Sequence, residues 1–167
     1  MCSPFCWRKM KQEKLKLYSV DMKYVRDLHR ADDKVQSVSP QIHKSMRPFI
    51  GVVIICGERQ HCIPLDHPKE KHISMKNSID FLRIFDGEKL IGVMNLNNMI
   101  PVDETVISVL RVKPENSDKP EEAAYKRLCA KELDWIQKNH DVIIHRAQKL
   151  YRIMMSGKAS YGLKNDV

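Results

Sequence analysis

Lys14, Leu15, Lys16 and Leu17 open an alternation of polar and apolar side chains that runs to Val20. A period of two marks a half-buried strand. Ser19 or Asp21 can then cap a helix over residues 22–30, where the apolar positions Met22, Val25 and Leu28 step by three along one face. Residues 31–46 are polar, contain Pro40 and hold no period, which predicts a long loop. Loops of that length are uncommon inside a compact domain unless they carry function. Residues 49–55 and 60–65 read as a hairpin turning at Gly57 and Glu58. The first of these is a continuous apolar run, as in a central strand covered on both faces. Pro64 and Pro68 bracket the end of the second. Another hairpin is expected over 81–85 and 90–96 around Asp86, Gly87 and Glu88, followed by short strands over 99–102 and 106–112. A polar linker with two prolines, 113–120, separates this region from a different period. Tyr125, Leu128, Cys129, Leu133 and Ile136 share one helical face. After a break near Asn139 and His140, Ile143, Ala147, Leu150, Tyr151 and Met154 share another. This is a helical hairpin whose apolar stripes cover the sheet. Four or more antiparallel strands and three helices make an α+β domain. No internal repeat or low-complexity tract interrupts it.

Composition narrows the class. The chain has 167 residues, the size of one domain. We divide it into an N-terminal extension, 1–9, to which no function is assigned, and a single domain, 10–167. Hydrophobic residues at 43% supply a core, against wholesale disorder. Lys plus Arg number 29 against 21 Asp plus Glu, a formal charge of +8, so a polyanion is the first partner to consider. The longest apolar run, 49–56, falls far short of the about 18 residues a membrane span needs. No apolar segment follows the N-terminus as a secretory signal would require. The five cysteines form no CxxC pair. Cys56 and Cys62 flank a turn and read as small buried thiols, so a reducing cytoplasm is expected.

The histidines carry the candidate chemistry. His61, His67 and His72 fall close together, His43 lies in the long loop, and Arg47, Lys69 and Lys71 are near in sequence. Imidazole titrates near neutrality, and cations beside it can bind phosphate and stabilise a dianionic transition state. That combination suits metal-free cleavage of RNA: a base takes the 2′-OH proton, the 2′-oxygen attacks phosphorus, and an acid protonates the departing 5′-oxygen. The products are a 2′,3′-cyclic phosphate and a 5′-hydroxyl. Taken singly, a surface histidine beside lysines is usually a solvated polar residue. His61 alternates with Cys62 in the hairpin and reads as structural. Asp66 can orient His67 only through a turn, because neighbours in an extended chain point apart. The spacing of Cys56, His61, Cys62, His67 and His72 fits no standard zinc pattern, so no metal or other cofactor is expected.

At this point the residues resemble a family. Arg47-Pro-Phe-Ile-Gly-Val-Val, Ile63-Pro-Leu-Asp-His-Pro-Lys-Glu-Lys-His72 and Gly92-Val-Met-Asn-Leu-Asn-Asn-Met-Ile-Pro-Val102, in that order, with Tyr125-Lys-Arg-Leu opening the late helix pair, are similar to the ToxN/AbiQ toxins. The likeness runs from about Leu15 to Tyr151, nearly the whole domain. It implies a bacterial endoribonuclease toxin of a type III toxin–antitoxin system, often linked to phage defence. The implied antitoxin is a repeat RNA folded as a pseudoknot, cut from its precursor by the toxin and assembled with it into closed toxin–RNA hetero-oligomers. Cellular or phage RNA is the implied substrate, and no membrane is involved. The implied fold is a compact, strongly twisted antiparallel sheet flanked by helices, similar to the MazF and CcdB toxins.

One departure is informative. Where relatives commonly carry two hydroxyl residues between Pro-Leu and Pro-Lys, this chain has Asp66 and His67. Counting back from Phe49, the family's basic position falls on Arg47, and a tyrosine position falls on His43. We therefore expect His43 and His67 to divide the acid and base work, as in pancreatic ribonuclease. Arg47 and Lys69 would hold the scissile phosphate, and Asp66 would orient a neighbour. Expected RNA contacts are Lys23, Arg26, Lys34, Lys44, Lys71, His72, Lys126, Arg127 and Lys131, each alternatively an ordinary charged face. A non-catalytic RNA-binding module is the main rival. A metal-dependent nuclease and a DNA-binding regulator rank lower.

Overall fold

A computed structural model describes residues 14–33, 49–57 and 59–156. His43, Arg47, Lys34, Lys44 and the 1–9 extension lie outside the described residues. Within them the chain runs β1 (Leu17–Val20), α1 (Met22–Ala31), β2 (Phe49–Cys56), β3 (Arg59–Asp66), α2 (Glu70–Ser74), β4 (Phe81–Asp86), β5 (Lys89–Asn95), a single 3₁₀ turn (Leu96–Asn98), β6 (Ile100–Val102), β7 (Ile107–Val109), α3 (Pro120–Lys138) and α4 (His140–Met155). All pairings are antiparallel. The strand order is β4-β5-β3-β2-β1-β7, with β6 added on β3.

The α+β expectation holds, and the predicted strands and helices fall within a few residues of the observed ones. Predicted 106–112 contracts to a three-residue strand, and the short helix α2 was not anticipated. Five residues are too few to show a helical period, and Pro68 reads as a breaker.

Two cores sandwich the sheet. On one face, α1 packs Val25 with Val20, Phe49, Cys62, Ile100 and Val102. Asp21 caps this helix by accepting from the Lys23 and Tyr24 amides at 2.7 and 3.0 Å. The Tyr24 hydroxyl donates to the Pro101 carbonyl and ties the helix to β6. On the other face, Cys129, Ile136, Ile143, Ala147 and Leu150 of α3 and α4 meet Leu17, Val52, Ile54, Ile63, Leu82, Ile84 and Met94. Each fully buried Leu or Ile there stabilises by roughly 1.5–3 kcal/mol. Covered on both sides, β2 reads as an unbroken apolar run. Gly51 sits where β3 leaves no room for a side chain: a Cβ there would lie 2.3 Å from the Ile63 carbonyl and 2.4 Å from the Cys62 Sγ. Cys56 and Cys62 are buried free thiols, and in the ladder their positions lie opposite Arg59 and Val53, not opposite each other.

β3 serves three ladders, with β6 pairing along residues 60–62. Residues 59–64 pair with β2, and Leu65 and Asp66 then pair with Met94 and Val93 of β5. The strand thus ends at the junction of two parts of the sheet, and the Asp66–Lys69 segment leaves from that junction. No helix among the described residues is long and apolar enough to cross a membrane.

Candidate active site at the end of strand β3

Register decides what shares a face with Asp66. Asp66, Val93 and Arg83 lie opposite one another across β3, β5 and β4, whereas Leu65, Met94 and Leu82 form the neighbouring row that faces α3 and α4. Asp66 therefore looks away from the helical hairpin. Its Oδ2 accepts from the Asn95 Nδ2 at 3.1 Å. Asn95 ends β5 and fixes the carboxylate from two strands away in the chain's own order. It stands inside a motif quoted for the family resemblance, but nothing local in the sequence places it against Asp66.

Beyond Asp66, His67 and Lys69 are exposed and Pro68 is half-buried. The segment then turns into α2. The Lys69 amide donates to the His72 Nδ1 at 2.9 Å, and the His72 amide donates to the Lys69 carbonyl at 2.8 Å. Several groups clamp the following residues onto β4. The Arg83 guanidinium donates to the Ile73 carbonyl at 3.1 Å and lies 5.2 Å from the Phe85 ring centre. The Asn77 Oδ1 accepts from the Arg83 amide at 3.0 Å, and Arg146 of α4 donates to the Ser78 carbonyl. A loop with this many anchors presents its exposed side chains from a fixed backbone.

The structure gathers Asp66, His67, Lys69 and Lys71 at this one strand end. His72 departs from its expected place among the RNA contacts. The residue is 7% exposed and its ring packs at 5.4 Å on Phe81, so it supports the loop from beneath. Burial, then the Lys71 and Lys69 charges, push its pKa below the usual histidine value, against a smaller opposing pull from Asp66. His61 is half-buried, with Nδ1 at 3.1 Å from the Arg59 carbonyl and its ring edge-on to Tyr151, in keeping with a structural role.

The expected RNA contacts divide. Lys23 and Arg26 project from the exposed side of α1, and Lys71 from α2. Lys126, Arg127 and Lys131 ride on α3, which covers the opposite face of the sheet from Asp66, so they are not gathered with Lys69. Lys126 is also engaged within the protein. Its ammonium donates to both Asp118 oxygens at 2.9 and 2.7 Å, with only 22% of the side chain exposed. That bond raises its pKa. Lys131 pairs with Asp86 at 2.6 Å, and Arg127 is exposed.

Sequence reasoning passed over a buried acid. Glu132 is 6% exposed, and its Oε1 would lie 2.5 Å from a Cβ at Gly92, so the missing side chain there makes room for the carboxyl. Desolvation pushes its pKa up to about 7. The signal was present, since position 132 falls on the stripe defined by Leu128, Cys129, Leu133 and Ile136.

Residues 16–167 match the family model for the toxin ToxN of type III toxin–antitoxin systems. The Endoribonuclease ToxN of Pectobacterium atrosepticum is 29% identical over 148 residues, 86% of this chain and 84% of that protein. The Endoribonuclease ToxN of Bacillus thuringiensis subsp. kurstaki is 28% identical over 151 residues, 89% and 74% of the two chains. Among solved structures, one of a bacterial antiviral system regulated by a processed non-coding RNA superposes with a TM-score of 0.72 at 28% identity, covering 86% of this chain and 88% of that one. AbiQ, a lactococcal anti-phage endoribonuclease, shares the fold with a TM-score of 0.65 at 22% identity, over 84% and 82%. With a matching family model over nearly its whole length and the same fold beneath it, this chain belongs to the ToxN family of type III toxin–antitoxin toxins.

Proposed function

We propose that this chain is an endoribonuclease toxin that cleaves RNA without a metal, its activity held in check by a repeat RNA whose precursor it cuts. The observation that carries the reading is the anchored strand end, where exposed His67 and Lys69 stand beside an Asp66 fixed by Asn95. In the proposed reaction one imidazole takes the proton of the ribose 2′-OH and the 2′-oxygen bonds to phosphorus. The bond to the 5′-oxygen breaks, and the second imidazole supplies that oxygen's proton. A 2′,3′-cyclic phosphate and a 5′-hydroxyl result, with atoms and charge balanced. His67 supplies one imidazole and His43, on the segment before β2, the other. Lys69 and Arg47 hold the phosphate and offset the charge that grows on its oxygens. Asp66 orients or tunes its neighbour.

Membership of the family supports an RNA partner. A related structure, 26% identical with a TM-score of 0.66, is of a type III system whose toxin is selectively inhibited by a non-coding RNA pseudoknot. That likeness supports a pseudoknotted RNA inhibitor; we further propose that it is a repeat RNA, that toxin and RNA close into a hetero-oligomer, and that the system acts in the cytoplasm against phage.

Incubating the purified chain with RNA in excess EDTA tests the reading. The expected products carry cyclic-phosphate and 5′-hydroxyl ends, and the rate is bell-shaped in pH. His67→Ala and His43→Ala each lower the rate about 100-fold or more while RNA binding persists. RNA left intact favours a non-catalytic binding module, and cleavage that needs added divalent ions overturns the metal-free reaction. Full activity in both variants discards this site.

A further inference from the structure

We propose that His72 is a positioning residue, whose Nδ1 fixes the backbone at Lys69 and thereby sets where the Lys69 ammonium and the His67 imidazole point. The inference rests on the reading of the β3 end as the active site, and it assigns His72 a task different from touching RNA.

The argument begins with what the start of a helix lacks. The first amide groups of α2 have no partner in the preceding turn. The residue at the cap is Lys69, whose side chain carries three donors and no acceptor, so it cannot close the turn as Ser, Asp or Asn would. Closure comes from three residues on. The His72 Nδ1 accepts from the Lys69 amide at 2.9 Å while the His72 amide returns a bond to the Lys69 carbonyl at 2.8 Å. Glu or Gln more often fills this reciprocal arrangement. Glutamate would bring a negative charge within reach of Lys69 and Lys71 and repel the phosphate they are to hold. A neutral imidazole accepts the same bond and leaves the field of the two lysines intact.

The ring is kept in that role. It is buried against Phe81, the first residue of β4, and the same strand's Arg83 holds the Ile73 carbonyl one residue on. Accepting at Nδ1 places the remaining proton on Nε2, the neutral form. The neighbouring Lys69 and Lys71 charges and the burial of the ring favour that form. His72 therefore joins β4 beneath to the Lys69 backbone above, where the chain has just left β3.

Two substitutions separate the acceptor from the ring. His72→Asn restores an oxygen near the Nδ1 position and loses the packing. His72→Phe keeps an aromatic ring on Phe81 and loses the acceptor. Three readouts are taken on the full chain: the exchange rate of the Lys69 amide proton by NMR, the thermal midpoint, and kcat and KM on RNA. In the wild type the Lys69 amide is protected. In His72→Phe that protection falls about tenfold or more, and kcat falls about 100-fold with KM within about threefold, the pattern of a misplaced catalytic group. His72→Asn recovers both amide protection and kcat despite a lower thermal midpoint. Unchanged protection and kcat in His72→Phe overturn the proposal. So does equal loss in both variants, which would make the ring contact all that matters. If amide protection follows this pattern while His67→Ala and Lys69→Ala cleave normally, the positioning of the loop stands and the catalytic reading of the strand end is what fails.

Discussion

A single carboxyl shows how environment sets chemistry in this chain. Glu132 lies among Cys129 and the β5 backbone at Gly92 with almost no exposure, and desolvation holds its proton up to a pKa of about 7. Its folded pKa is raised above the unfolded value. The folded state therefore binds more protons between about pH 4.5 and 7, and stability falls as pH rises through that window. The full favourable contribution is present below the unfolded value, and the loss, of order 3 kcal/mol, is complete above about pH 7. Glu132→Gln, which stays neutral, is expected to be more stable than the wild type at pH 8 and to lose the slope between pH 5 and 7 in urea melts. A parallel slope in both proteins would contradict the assignment. Histidines 61 and 72 act in the opposite sense. Both have lowered values in the fold, so their share of stability is whole above the unfolded pKa and declines as the unfolded chain takes up protons below it.

At the scale of elements, the strands, helix α1 and the late helical hairpin were legible because their apolar periods are strong. The contiguous run of β2 correctly marked a strand covered twice. What was not legible depends on pairing across the chain. Asp66 meets Asn95 because the end of β3 pairs with β5, and no local pattern records a register. Helix α2 is too short to show a period, so His72 read as one more surface cation rather than as the group that closes the turn. Lys126 read as a surface cation because its partner Asp118 precedes the helix, in the linker. The tightness of the β2–β3 ladder also carries a prediction. Gly51→Ala sets a methyl group against the Ile63 backbone, which cannot move aside as a flexible side chain would. We expect destabilisation of about 3 kcal/mol or loss of folding, read as a lowered urea midpoint. A midpoint within error of the wild type would show that the two strands separate more easily than their register implies.

Across the whole molecule, the charge excess is not spread as the sequence invited one to think. The cations of α3 stand behind the sheet, and two of them are committed to Asp118 and Asp86. Lys23, Arg26, Lys69 and Lys71 are exposed on the other side, and if each neutralises one phosphate of single-stranded RNA, log affinity against log salt should fall with a slope of about −2.8. Binding of RNA by a His67→Ala protein, measured from low to physiological salt, checks this. A slope near zero would remove phosphate contacts as the source of grip.

The order of the elements along the chain has a consequence for the cell that makes the protein. Every residue assigned to the cleavage reaction lies before residue 100, while the cover for the sheet that carries them comes from α3 and α4, after residue 120. A nascent chain on the ribosome, or a fragment released by a premature stop, holds the reactive groups without the scaffold that aligns them. On the proposed reading, RNA cleavage becomes possible only once α3 and α4 have been made.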